Sequence, residues 1–154
     1  MSEKDMSEDY RSGEIPNADA IRAFNRSIVE EFRANDGKVG GPFEGAELIL
    51  FTTTGAKTGK SRVVVLTPVR IDGRMFVVGS LAGADIDPAW VHNLRAHPRA
   101  QVELGAESFE VTVRELSRRE HDELWPNVTA LQPIYADYQA KTERVIPLFE
   151  LQPV

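Results

Sequence analysis

Apolar residues first recur at helical spacing at Ile21, Phe24, Ile28 and Phe32, with Arg22, Arg26, Glu30 and Arg33 on the polar face. The pattern predicts a helix to about Asn35, with Asn17 placed to cap it. Asn35-Asp-Gly-Lys-Val-Gly-Gly-Pro42 then breaks the period and reads as a linker or mobile loop. Beyond it the apolar pattern changes to that of strands. Glu47–Thr54 (ELILFTTT) and Arg62–Ile71 (RVVVLTPVRI) are apolar and β-branched, with Pro68 pointing to an edge or bulge. Asp72-Gly73 is a tight-hairpin signal, and Arg74–Ser80 returns as the next strand. Gln101–Leu104 and Ser108–Leu116 form a further hairpin around Gly105-Ala106. Between the hairpins, Asp87 is expected to cap a helix with Pro88 at its first position, running over Ala89–Ala96 and stopping at His97 before Pro98. The last third turns helical again. Ser117-Arg-Arg-Glu120 reads as a capping box, His121–Ala130 continues around Trp125 and Pro126, and Gln132–Lys141 carries Tyr135 and Tyr138; Val145–Phe149 reads as a last strand. Hairpins joined by one short helix, without alternating βαβ units, favour an antiparallel barrel over a doubly wound parallel sheet.

Length and composition narrow the classes without choosing among them. At 154 residues the chain can bury a sizeable core. Residues 1–16 are polar and acidic and read as a disordered tail, not a secretory signal, which leaves 17–154 as one domain. No apolar run approaches the roughly 20 residues of a membrane span. Having no cysteine excludes disulfides and thiol chemistry and fits a reducing cytoplasm. A net charge of −6 argues against nucleic-acid binding. Against that acidic background, Gly55-Ala-Lys-Thr-Gly-Lys-Ser-Arg62 holds Lys57, Lys60 and Arg62 and no acid, which suggests a specific anionic ligand.

That loop has a false twin. It resembles a phosphate-binding P-loop, but only three residues separate its glycines and a β-branched strand follows where a P-loop needs a helix. It can still bind phosphate through exposed N–H groups, Lys57 and the planar fork of Arg62; a solvated hairpin tip explains the same residues. Val78-Gly-Ser-Leu-Ala-Gly-Ala-Asp85 is a small-residue loop that would let a flat ring approach the backbone. Trp90 and Asn93 share a helix face, as do Tyr135 and Tyr138, and both pairs fit packing as well as a pocket. His92, His97 and His121 lack the spacing of a metal site. No Gly-x-Ser-x-Gly supports a hydrolase.

Taken in order, Thr52–Arg62, Asp87-Pro-Ala-Trp-Val-His-Asn-Leu94, Trp125-Pro126 and Tyr135-Ala-Asp-Tyr138 resemble the F420-dependent deazaflavin nitroreductases, in particular the nitroimidazole-activating branch of mycobacteria and other actinobacteria. The resemblance spans about Leu48–Pro147. It implies an α+β fold, a mainly antiparallel split β-barrel of the FMN-binding type, with an N-terminal helix and short flanking helices. It also implies an oxidoreductase that passes hydride from reduced coenzyme F420 to a quinone, nitroaromatic or activated enone. On the matching positions, Ala56, Lys57, Thr58 and Arg62 would grip the cofactor phosphate, and Val63, Val64, Val65, Leu66 and Thr67 would lie along the deazaflavin. Val78, Gly79, Ser80 and Leu81 would meet the ring and its pyrimidine edge; Ala89, Trp90, Val91, His92 and Asn93 would close another side. Tyr135 would reach cofactor or substrate, and Ser80 and Tyr135 are the candidates for positioning or proton donation.

The chain departs from that branch on the substrate side. Leu81-Ala82 stand where a lysine-glycine pair is usual, and Gln132 where a substrate-facing tyrosine is found. Val65 replaces a proline and Thr67 a tyrosine. Two other readings use the same residues: an FMN enzyme on the same barrel, and a non-catalytic lipid or cofactor binder. The implied partners are a small-molecule acceptor and an F420-reducing dehydrogenase. A homodimer and peripheral docking at the inner face of the membrane through the N-terminal helix are compatible with the sequence.

Overall fold

A computed structural model describes residues 18–154; the acidic tail and the Asn17 cap lie outside the described residues. Among the described residues, thirteen elements follow one another. Helix α1 (Ala18–Ala34) leads through a 3-10 turn (Gly41–Phe43) into β1 (Ile49–Thr54), β2 (Ser61–Leu66), β3 (Val69–Ile71) and β4 (Arg74–Val78). A second 3-10 turn (Leu81–Gly83), α2 (Ala89–Ala96), β5 (Arg99–Leu104), β6 (Glu107–Glu115), α3 (Arg118–Leu131), α4 (Ile134–Ala140) and β7 (Leu148–Pro153) complete it.

The strands form one seven-stranded sheet in the order β2-β1-β5-β6-β7-β4-β3, every pair antiparallel. Its first and last strands, β2 and β3, are consecutive in sequence and joined by Thr67-Pro68 alone. At about 3.8 Å between successive Cα atoms, so short a link cannot span a flat sheet. The sheet therefore curls until the end of one edge strand, β2, meets the start of the other, β3, and the two do not pair. That unpaired seam is the split in the barrel. Pro68, which cannot donate to a ladder, sits at the seam and divides the expected ten-residue strand in two.

Turn chemistry sets the registers. Asp72 (φ 53°) and Gly73 (φ 76°) both adopt the left-handed region, as a type I′ hairpin requires. Ser117 Oγ accepts the Glu120 N–H at 3.2 Å and Glu120 Oε1 accepts the Ser117 N–H at 3.1 Å, so the capping box is formed. Two expectations shift. Asp87 does not cap α2; Pro88 holds the cap position and the Asp87 carboxylate pairs with arginines instead. The last strand begins at Leu148, because the Gln139 side chain holds the preceding segment out of the sheet through the Arg144 carbonyl (2.7 Å) and the Ile146 N–H (3.0 Å).

Three apolar clusters hold the fold. Ile49, Phe51, Val77, Val91, Val102 and Phe149 fill the barrel. Ile28 and Phe32 of α1 pack on Leu48 and Leu50 outside β1, and Val63 and Val65 join them. Val128 and Tyr138 of α3 and α4 cover Val69, Phe76 and Val78. Strand β1 is thus buried on both faces and the Val63–Leu66 half of β2 is partly covered on both, which is why LILF and VVVL read as runs and not as alternation.

Candidate active site

A cleft of about 940 Å³ opens along the seam. Its floor is the chain from Val64 to Arg70, which is the end of β2, the Thr67-Pro68 link and the start of β3. One wall is Phe24 and Ile28 of α1 with Phe43; the other is Ser80, Leu81, Ala89 and Trp90, with Gln132, Tyr135 and Tyr138 at the helical end. Trp90 also plugs the barrel, its ring edge-on to Phe51 (5.8 Å) and Phe149 (5.6 Å). Tyr135 stands edge-on to Tyr138 at 6.1 Å. The Ser80 hydroxyl lines the cleft and makes no hydrogen bond among the described residues.

The seam also exposes backbone. The Gly55 N–H donates to the Lys60 carbonyl at 2.8 Å, which fixes the alternation of the β1–β2 ladder. Counting along the register, Arg62, Val64 and Leu66 exchange bonds with β1, while Val63 and Val65 turn their N–H and C=O groups to the open edge. Val65 therefore offers a donor and an acceptor to whatever lies in the cleft.

The basic loop sits at the other end of β2. Gly59 (φ 70°) donates to the Gly55 carbonyl at 2.9 Å, and a Cβ on Gly55 would stand 2.6 Å from Thr58 Oγ1, so the turn has no room for a side chain there. Lys57, Lys60 and Arg62 are exposed and no carboxylate pairs with them among the described residues, whereas Arg33, Arg70, Arg74, Arg95, Arg114 and Arg144 all have acidic partners. Arg62 and Val64 lie on one strand, about 7 Å apart. An apolar slot with free edge donors, next to a patch of uncompensated cations, fits a flat ring that carries a phosphate.

The cleft gathers Val64, Val65, Leu66, Thr67, Val78, Ser80, Leu81, Ala89, Trp90 and Tyr135 of the expected site. Ala56, Lys57, Thr58 and Arg62 stand outside it on the basic loop and the start of β2. Val63 packs toward α1, and Val91 is core. Gly79 is pressed between Pro147 and Val91, where a Cβ would come within 2.9 Å of each. His92 faces solvent. Asn93 is a brace: its Oδ1 accepts the Ala56 N–H at 2.9 Å and its Nδ2 donates to Thr53 Oγ1 at 3.1 Å.

Two contributions have no signal in the sequence motifs. The α1 wall is one: the spacing of Phe24 and Ile28 marks a buried face but not what it faces. Arg144 is the other, a lone arginine in an irregular segment that ties the loop after β4 in place. Burial lowers its pKa, and Asp87 and Asp85 oppose that shift.

Comparison with known proteins gives the family. Residues 24–153 match the family F420H(2)-dependent quinone reductase. An F420H(2)-dependent quinone reductase of Mycobacterium tuberculosis is 34% identical over 124 residues, covering 78% of this chain and 83% of the relative. A solved F420-H2 dependent reductase (FDR-A) is 40% identical with a TM-score of 0.61, covering 68% of this chain and 93% of its own. A structure described as a domain-swapped dimer is 36% identical with a TM-score of 0.63, covering 87% of this chain and 98% of its own. The chain belongs to the F420H(2)-dependent quinone reductase family and is an oxidoreductase that works with coenzyme F420.

Proposed function

We propose that the seam cleft holds the deazaflavin ring, that the Gly55–Arg62 loop holds its phosphate, and that a quinone-type acceptor enters between the ring and the α1 wall. The bound cofactor supplies the hydride. The protein's part is to orient the two reactants and keep water out. The unpaired edge of β2 at Val65 carries the reading, because it places a free backbone donor and acceptor inside an apolar slot.

The residues divide the work by their chemistry. Lys57 and Arg62 supply charge and a fork for phosphate oxygens. Val64 and Leu66 give the ring an apolar bed, and Trp90 closes the barrel end behind it. Ser80, on the wall opposite α1, and Tyr135, at the helical end of the cleft, are the hydroxyls that would orient the reacting carbonyl or deliver a proton. With Gln132, Thr67 and Leu81-Ala82 in place of tyrosines and a lysine-glycine pair, the pocket has less aromatic area and fewer donors for a bicyclic nitroimidazole. It suits a quinone or enone better.

Stopped-flow oxidation of reduced F420 against quinones, enones and bicyclic nitroimidazoles tests this. Turnover of quinones or enones with slow nitroimidazole reduction is expected; the reverse order would show that the acceptor side has been misassigned. The domain-swapped relative supports a second copy as partner, which size-exclusion chromatography with light scattering would detect. No described helix is long and apolar enough to cross a membrane. The apolar stripe of α1 packs on the barrel, which weighs against its use in docking to a bilayer.

A further inference from the structure

The loop leaving β4 carries two non-glycine residues in the left-handed region, Leu81 (φ 42°) and Ala82 (φ 54°). Residues with a Cβ persist there only where the surroundings over-determine the backbone. Arg144, from the segment between α4 and β7, supplies the determination. Its Nε donates to the Ala84 carbonyl at 2.7 Å and its Nη2 to the Ser80 carbonyl at 2.8 Å. Its Nη1 reaches the Gly79 carbonyl at 3.2 Å and Asp87 Oδ1 at 2.8 Å. Three carbonyls of one loop converge on one guanidinium whose side chain is only 15% exposed.

The consequence lies on the opposite side of those peptides. A trans peptide points its C=O and N–H in opposite directions. Drawing the Gly79 and Ser80 carbonyls onto Arg144 therefore turns the N–H groups of Ser80 and Leu81 away from it. Neither N–H has an acceptor among the described residues, and both residues line the cleft. A cation bonded to an amide carbonyl also polarises that amide and strengthens its N–H as a donor.

We infer that Arg144 is a positioning residue: it fixes the Gly79–Leu81 backbone so that the N–H groups of Ser80 and Leu81 form a pair of donors to an oxygen of the bound ring. The inference rests on the placement of the ring in the seam cleft. Only the planar, forked guanidinium matches three fixed carbonyls; a lysine ammonium is a compact point charge on a flexible stem.

Amide NMR of the full chain titrated with F420 tests it. The Ser80 and Leu81 amide protons move downfield on binding in the wild type. In Arg144→Lys they move much less, the absorption band of bound cofactor returns toward its free position, and single-turnover hydride transfer at saturating cofactor falls roughly tenfold to a hundredfold. A purely structural Arg144 would lower the melting temperature of R144K and leave its amide shifts, absorption band and rate as in the wild type, which overturns the inference. Should R144K not fold, the wild-type titration decides alone. If Val65 and Trp90 respond while Ser80 and Leu81 stay silent, only the role of Arg144 falls. If no cleft residue responds, the cleft placement falls with it.

Discussion

The side-chain oxygen of Asn93 accepts the backbone N–H of Ala56 at 2.9 Å, so a helix in the barrel mouth holds the first residue after Gly55 in the basic loop. Its other end donates to Thr53 Oγ1, on a residue only 2% exposed. On the proposed site, Asn93 would act on the cofactor through the loop. Asn93→Ala should cost about 1–3 kcal/mol of stability, the penalty of an orphaned buried partner. It should also weaken F420 binding, while the bound cofactor keeps its absorption band because the ring contacts stay intact. Thermal unfolding and a fluorescence titration measure both effects. Unchanged affinity would show that the loop needs no brace.

Lys57→Ala and Arg62→Ala should each weaken cofactor binding without lowering the melting temperature, since both side chains are exposed and neither has a carboxylate partner among the described residues. A lost charge-assisted hydrogen bond is worth about 1.5–3 kcal/mol, or roughly tenfold to over a hundredfold in affinity. Titrations at two salt concentrations should show the wild type losing affinity with salt more steeply than either variant. Wild-type affinity in both variants would reduce the loop to a solvated hairpin tip.

Adjacent residues on β2 should answer proline in opposite ways. Val65 points its N–H to the seam, so Val65→Pro removes no ladder bond, and proline is the residue found there in the nitroimidazole-activating branch. Val64 bonds Phe51 of β1, and Val64→Pro should lose about 1–3 kcal/mol for the orphaned carbonyl. Each kcal/mol is about 2–4 °C in melting temperature at this chain length. Equal losses at the two positions would mean that the ladder alternates the other way.

Much of this was legible in the sequence because local chemistry and fold agree. Asp72-Gly73 and Ser117–Glu120 each announce one structure and adopt it, and the β-branched runs form strands, with Arg62–Ile71 divided at Pro68. The basic loop was legible as charge: three cations without an acid in an acidic chain. The seam was not legible. Pro68 signals an edge, but that β2 and β3 are the two edges of one sheet depends on long-range pairing that no local pattern carries. Arg144 was hidden for the same reason, since its partners lie 57–65 residues away. Asp87 shows the converse: a good capping residue drawn off by Arg95 and Arg144, whose charge outweighs a cap.

Acid stability should depend on the network behind β7. Glu150, 6% exposed, accepts from Arg74 and Arg114, and Arg114 also binds Glu120. The bonds from Arg74, then Arg114, hold Glu150 below its usual range. Arg114, with the Ser117 N–H, pulls Glu120 down to about 2 from an ordinary 4.5. Both folded-state values are depressed, so the stabilisation is fully present at neutral pH and is lost as pH falls from about 4.5 toward 2. Glu150→Gln should lower the melting temperature at pH 7 and flatten its decline over that acid range. A wild-type slope in the variant would assign acid unfolding to other carboxylates.

Whether the seam cleft and its basic loop form an F420 site is tested by side-by-side titration of the wild-type chain with F420 and FMN. F420 should bind saturably at micromolar concentration or tighter, with FMN markedly weaker, and F420 affinity should be lost in Lys57→Ala on the loop and in Trp90→Ala in the cleft. Tight FMN binding without detectable F420 affinity, or F420 affinity that survives both substitutions, would contradict it.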